Sequence, residues 1–257
     1  MTLKNWTGAG AIVTGGASGL GAATAKAMAE DGLKVALFDL NDEAGTRQAK
    51  AIGGTFHQVD VSDPASVAKG VAEAEAANGA PRILVNCAGI APAAKTVSRG
   101  EAHDAQVFAK TIGINLIGSF NCAAQVAARM VAADPIDETG ARGVIVNTAS
   151  VAAYEGQVGQ IAYAASKGGV AAMTLPMARD MADKGVRVCA IAPGLFLTPM
   201  LEGLPEDVQA SLGGQVPYPS RLGDPAEFAA LVRHVTQNPM LNGEVIRLDG
   251  AIRMAPR

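Results

Sequence analysis

The chain has 257 residues, enough for one large α/β domain or two small ones, and only 18% of them are charged, below the usual quarter. A net charge of −3 with no run of Lys or Arg argues against a nucleic-acid or membrane-surface protein. Cys87, Cys122 and Cys189 show no CxxC spacing and His57, His103 and His234 no ligand spacing, so neither a disulfide framework nor a metal centre is expected.

The opening "MTLKNWTGAGAIVTGG" reaches a strand and a glycine turn by residue 15. It leaves no room for a signal or transit segment and, with three apparently reduced cysteines, reads as cytoplasmic. The first strand, "AIVTG", runs into "TGGASGLG". Gly15, Gly19 and Gly21 permit a tight turn whose backbone approaches a pyrophosphate at a helix N-terminus. The spacing departs from GxGxxG, and such a turn alone is equally a structural one. Its neighbours give it weight. "KVALFD" ends the second strand at Asp39, where a carboxylate accepts hydrogen bonds from adenosine ribose hydroxyls. Asp42 and Glu43 follow and no basic residue adjoins, so a 2′-phosphate is repelled and NAD is expected rather than NADP. "TFHQVD" ends the third strand at Asp60, an acceptor for an adenine amino group. "RILVNCAG" ends the fourth at Asn86, Cys87, Ala88 and Gly89, small enough for a ring or ribose to approach.

Residues 107–133 carry only Lys110 and Arg129 as charges, which predicts a helix buried on more than one face, one of them against another subunit. "DPIDETGARG" is a polar surface loop. "GVIVNTAS", the fifth strand, brings Ser150 to another carboxyl end. Tyr163 and Lys167 then share one face of the next helix. Hydride transfer between an alcohol and a carbonyl needs a proton acceptor near the hydroxyl. A free phenol titrates near ~10, too high for that work. A cation at ~4–5 Å and an effective dielectric of ~20 supplies the roughly 3–4 kcal/mol that lowers it by about 2–3 units. Ser150 can hold the substrate oxygen meanwhile. An exposed amphipathic Tyr–Lys pair is the bland alternative, but its neighbours "AASK" and "GGVAAM" are small and apolar. "VRVCAIAPG" is the sixth strand. Residues 195–225 form a long Pro-, Gly- and Leu-rich excursion suited to a substrate wall, with Leu195, Phe196, Leu197, Met200, Leu201 and Leu204 to cover an apolar tail. "GEVIRLDG" is the seventh strand. Seven β-branched runs, with Ala-rich helices between the first six, predict a single α/β domain over 1–257: a doubly wound, seven-stranded parallel sheet with helices on both faces.

The TGxxxGxG turn, the NCAG strand end, Ser150, YxxxK and the "PG" after the sixth strand occur in the order found in short-chain dehydrogenases/reductases, and the chain resembles that family throughout its length. The resemblance implies a Rossmann fold and a proton relay of Asn115, Ser150, Tyr163 and Lys167. In it, Asn115 bends its helix and binds through its backbone carbonyl a water that links Lys167 to solvent. Cofactor contacts carried over are Ser18, Leu20, Asp39, Asp60, Val61, Cys87, Tyr163, Lys167, Phe196 and Thr198, with Pro193 and Gly194 of the "PG". Cys87 departs from the family's second Asn, which a backbone contact to the ribose tolerates.

"NTASVAAYEGQVGQIAYAASKGG", "IAPGLFLTPML", "QVPYPSRLGDPAEFA" and "LNGEVIRLDGAIRM" resemble more narrowly the family members that act on 3-hydroxyacyl-CoA thioesters. That implies NAD-dependent interconversion of (S)-3-hydroxyacyl-CoA and 3-ketoacyl-CoA in fatty acid metabolism, a homotetramer, and Gln157 near the substrate oxygen. Lys95 and Arg99 match only loosely, and a solvated pair is favoured over contacts to CoA phosphates. Three rivals stay open. An NADPH-dependent ketoacyl reductase is opposed by Asp39. A hydroxysteroid or secondary-alcohol dehydrogenase would suit "LFLTPMLEGLP" equally. A non-catalytic scaffold is opposed by the intact Tyr163–Lys167 pair.

Overall fold

The computed structural model describes residues 6–203 and 205–256; Leu204 and the Met200 side chain lie outside the described part. The strands are β1 (Gly10–Thr14), β2 (Lys34–Asp39), β3 (Thr55–Gln58), β4 (Pro81–Asn86), a small hairpin of β5 (Val97–Ser98) and β6 (Glu101–Ala102), then β7 (Gly143–Thr148), β8 (Val186–Pro193) and β9 (Val245–Leu248). Seven of them form one parallel sheet in the order β3-β2-β1-β4-β7-β8-β9, as the apolar runs predict. Every residue of β1 and of β7 is buried, because helices cover both faces.

The helices are α1 (Gly19–Glu30), α2 (Asp42–Ile52), α3 (Pro64–Asn78), α4 (Ala105–Ile112), α5 (Gly118–Ala132), α6 (Ile161–Asp180), α7 (Pro199–Glu202), α8 (Glu206–Gly214) and α9 (Pro225–Gln237). Their starts are capped as the sequence dictates. Asn41 and Asp63 accept the first free amides of α2 and α3, and Asp224 with Glu227 forms a reciprocal capping box on α9. On one face of the sheet, Met28 of α1, Ala49 of α2 and Phe228, Val232 and Val235 of α9 pack against Val13, Leu37 and Val85. On the other face, Val67 and Val71 of α3 and Cys122, Val126 and Met130 of α5 pack against Ile12, Phe38 and Leu84.

The chain places β2 and β3 on one side of β1 and returns to place β4 on the other. Crossovers at that point diverge to opposite faces, so the carboxyl ends of β1 and β4 border an open crevice. The 195–225 excursion contains two short helices, α7 and α8, and no long one.

Residues 105–132 form one continuous helical rod in which a single π-turn, Gly113–Ile117, separates α4 from α5. By length and composition this rod could cross a membrane, but its inner face packs on the sheet. The rod packs on the sheet and along α6, and on its outward face, the one expected against another subunit, Ile117 is 47% and Phe120 54% exposed.

Arg187 on β8 ties the far end of the fold together. Its guanidinium donates to the carbonyls of Val235 (2.9 Å) and Thr236 (2.8 Å) in the last turn of α9 and to that of Leu241 (2.7 Å) in the loop beyond it. Burial pulls its pKa below the usual arginine range. Replacement by Met should strand those carbonyls and cost about 2–3 kcal/mol, since hydrogen bonds to a charged donor lose that order when one partner goes. Urea unfolding checks this: the midpoint should fall with the slope unchanged, and a loss under about 0.5 kcal/mol would be the size of a neutral surface change.

Candidate active site

The turn after β1 is built by absent side chains. Gly15 has φ +64°, and a Cβ there would sit 2.8 Å from the Ala88 amide nitrogen. A Cβ on Gly21 would overlap the Gly15 carbonyl oxygen. Gly19, at φ +52°, opens α1 beneath Thr198 and Pro199. The free amides of the first turn of α1 therefore border a cleft of about 420 Å³. Ser18 and Leu20 line it beside these glycines.

The other walls come from neighbouring strand ends. Asp39 accepts from the amide of Ala17 in the turn (3.1 Å) and from that of Asn41 (3.0 Å), which orients its carboxylate at the cleft. Asp60 and Val61 follow β3, with Asp60 held by Ser62 (2.6 Å). Cys87, Ala88 and Gly89 follow β4. Thr14 fixes this strand end: its hydroxyl oxygen accepts the amides of Cys87 and Ala88, each at 3.1 Å. Asn86 stands apart from the cleft. It is 2% exposed and donates to Asn147 (2.9 Å) and to the Ser119 carbonyl (3.1 Å), so it braces β4 against β7 and α5. Strand alternation explains this, since Asn86 and Cys87 point to opposite sides.

A second cavity, about 290 Å³, shares Leu20, Cys87, Gly89 and Thr198 with the first. It holds Ser150, Tyr163 and Lys167, with Pro193, Gly194 and Phe196 on its rim. The Phe196 ring also meets that of Phe228 edge-on, 6.5 Å between centroids. Ser150 lies two residues beyond β7, accepts from the Ala152 amide (3.1 Å) and hydrogen-bonds the Tyr163 phenol. Lys167, 4% exposed, donates to the Thr148 carbonyl (2.7 Å), and its Nζ lies 5.8 Å from the centre of the Tyr163 ring.

The electrostatics differ from the expectation in one respect. Burial pushes the Tyr163 phenol above its ordinary range, and the hydrogen bond from Ser150 only partly offsets this. Lys167 does not pull it below, because burial brings the ammonium itself down to about 8. Burial also holds the Cys87 thiol protonated, its pKa pushed up to about 11.

Asn115 sits in the π-turn, fully buried, and acts as a strut. Its amide oxygen accepts from the Ile90 amide (2.8 Å), and its nitrogen donates to the Ile90 carbonyl (2.9 Å) and the Ser166 hydroxyl (2.9 Å). Its backbone carbonyl accepts from Ser119 Oγ (2.7 Å). Gln157 turns away from the second cavity and donates to the Ala255 carbonyl (3.0 Å), while Gln160 lines that cavity in its place. Lys95, just before β5, and Arg99, in the turn between β5 and β6, are exposed and line neither cavity. The sequence reading missed Thr14, Thr148, Ser166, Gln160 and Met254. Thr14 and Ser166 were visible as neighbours of the glycine turn and of Lys167. Thr148 acts through its backbone, and Met254 arrives from the far end of the chain.

The glycine cradle, the carboxylate at the end of β2 and a cleft spanning the switch point fit a dinucleotide. Residues 9–209 match the short chain dehydrogenase family. The chain is 53% identical over 250 residues to the 3-hydroxyacyl-CoA dehydrogenase type-2 of Homo sapiens, covering 96% of this chain and 95% of that protein. It is 50% identical to the protein of that name from Drosophila melanogaster, covering 95% and 97%. The crystal structure of 3-hydroxyacyl-CoA dehydrogenase type-2 from Mycobacterium avium superposes over the whole of both chains with a TM-score of 0.94 at 43% identity. A phenol, a hydroxyl and a buried ammonium at the end of a dinucleotide cleft make this an oxidoreductase site with a nicotinamide cofactor, and the chain belongs to the short chain dehydrogenase family.

Proposed function

We propose that this enzyme interconverts (S)-3-hydroxyacyl-CoA and 3-ketoacyl-CoA with NAD, within fatty acid metabolism. The observation that carries the reading is the Ser150–Tyr163–Lys167 group at the junction of the dinucleotide cleft and an apolar cavity, in a chain half identical to relatives of that activity's name. The support for the hydroxyacyl substrate is those names together with the apolar wall of Val151, Leu195, Phe196 and Leu201.

The bound nicotinamide supplies the hydride acceptor or donor. Ser150 Oγ and Tyr163 Oη hold the substrate oxygen between them. In oxidation Tyr163 takes the hydroxyl proton; in reduction it returns one. The Thr148 carbonyl holds the Lys167 ammonium beside the Tyr163 ring, where its positive charge favours the phenolate through space. Asn115 holds the Ile90 loop against α6 and so keeps the floor of the site fixed. Support for NAD over NADP is the Asp39 carboxylate in a cleft whose described lining contains no Lys or Arg.

We infer also that the enzyme is a homotetramer. The outward apolar face of the 105–132 rod, with Phe108, Ile117 and Phe120, lies beside that of α6, with Ile161, Ala165 and Leu175. Such a contiguous patch favours a second copy.

Four outcomes check these readings. Tyr163→Phe should lower turnover by about 10²–10⁴-fold while NADH still binds, read by rates alongside fluorescence titration; activity within about tenfold of the parent removes Tyr163 from the chemistry. Because burial raises the phenol pKa and oxidation needs the deprotonated form, kcat/KM for oxidation should climb with pH into the alkaline range, and that for reduction should fall. Preference for NAD over NADP should reach at least about 100-fold in kcat/KM, and Asp39→Ala should narrow it by losing NAD; equal use of both cofactors contradicts the assignment. For substrate, a series of 3-ketoacyl-CoA thioesters assayed with NADH should be turned over, with kcat/KM rising as each methylene adds about 0.8 kcal/mol of burial until the cavity is full. Inertness of the whole series, with a steroid or simple alcohol accepted, would replace the thioester by that alcohol.

A further inference from the structure

The end of the chain is strapped to the catalytic loop by one ion-pair hub that the proton relay does not use. Arg247 on β9 makes a two-pronged pair with Glu155, Nη1 to Oε1 at 2.9 Å and Nη2 to Oε2 at 3.1 Å, and its Nε donates to Asp249 (2.7 Å). Arg253 lies against the same two carboxylates, 3.4 Å from Glu155 and 3.2 Å from Asp249. Glu155 belongs to the loop between β7 and α6, five residues beyond Ser150 and eight before Tyr163.

The same carboxylate reaches the terminal segment directly. Glu155 Oε2 accepts the backbone amide of Met254 at 3.1 Å. Arg247 also donates to the Ile252 carbonyl (3.0 Å). Two further bonds complete the strap, from the Val158 amide to the Pro256 carbonyl (3.0 Å) and from the Gln157 side chain to the Ala255 carbonyl (3.0 Å). The Arg247 guanidinium covers the Tyr154 ring at 5.6 Å. Residues 252–256 are thus laid along residues 154–158, and Met254 lines the cavity that contains Ser150 and Tyr163.

Residues 252–256 have no strand or helix of their own, so their place depends on these ties. Here Glu155 carries two of the ties, the Arg247 pair and the Met254 amide, while the Val158 and Gln157 bonds hold residues 255 and 256 beside it. A two-pronged arginine–carboxylate pair is directional, and the second lone pair of Oε2 is used for the Met254 amide. The Arg247 guanidinium holds the Glu155 carboxyl below the usual carboxylate range, in keeping with a charge that is matched in place.

We propose that Glu155 is a positioning residue for substrate binding: through Arg247 and the Met254 amide it holds the chain terminus so that Met254 forms one wall of the substrate cavity. The terminus then acts on the non-reacting part of the substrate, the acyl chain or the thioester arm, and not on proton transfer. This rests on the assignment of that cavity to the substrate.

Steady-state kinetics of the whole enzyme with NADH and short and medium 3-ketoacyl-CoA thioesters test the proposal. Glu155→Ala and Met254→Ala should each raise KM about tenfold, the factor expected when part of one buried apolar side chain is lost, with kcat changed less than about threefold. The double variant should be no worse than the worse single one, because both remove the same wall. Met254→Leu should restore KM, and the dissociation constant for NADH should be unchanged throughout. KM within about twofold of the parent for both single variants, or full additivity in the double one, would overturn the proposal. If Glu155→Ala does not fold, Met254→Ala and its rescue by Leu decide the matter alone. If the parent turns over no thioester but does oxidise a secondary alcohol, the same KM split is read with that alcohol. The substrate assignment then fails while the role of the strap is still decided.

Discussion

The reversal of strand order between the paired strands β1 and β4 is the constraint on which the site depends. Parallel strands joined by right-handed crossovers must send their helices to one face or the other, and the chain reverses its direction of travel between these two strands. The crevice so formed cannot be filled by helices. Thr14 finishes it by binding the amides of Cys87 and Ala88 beside the open cleft, its hydroxyl oxygen accepting both and its backbone carbonyl accepting that of Cys87 as well. The glycines of the following turn let the backbone close in. Asp39 bonds back to Ala17, so the second strand end and the turn are one unit.

The catalytic end obeys a different balance. Burial disfavours charge on both Tyr163 and Lys167, raising one pKa and lowering the other. Neither group is ionised cheaply, and both are anchored by neutral partners, the Ser150 hydroxyl and the Thr148 carbonyl. The strut role of Asn115 supports the same economy: its amide satisfies the Ile90 backbone and the Ser166 hydroxyl where the π-turn disrupts the regular ladder.

The glycine turn, Asp39, Ser150 and the Tyr163–Lys167 pair were legible because their meaning is local. A turn needs glycines at adjacent positions, a strand end is marked by its apolar run, and two residues four apart on a helix must share a face. Asn86 was misplaced beside Cys87 because alternation along a strand sends neighbours to opposite sides, and which side is the cleft depends on what packs there. Gln157 and Gln160 exchanged places because the loop between β7 and α6 has no period to read.

The sequence by itself determined the seven strands, their parallel order of connection and the shared helix face of Tyr163 and Lys167, since apolar periodicity and helical spacing are properties of short segments. Only the tertiary structure decided that Thr148 offers Lys167 a carbonyl, that Asn115 braces Ile90 against Ser166, and that Met254 comes to the cavity of Ser150 and Tyr163. Those contacts join segments distant in the chain or use backbone atoms that every residue carries, so no residue type announces them.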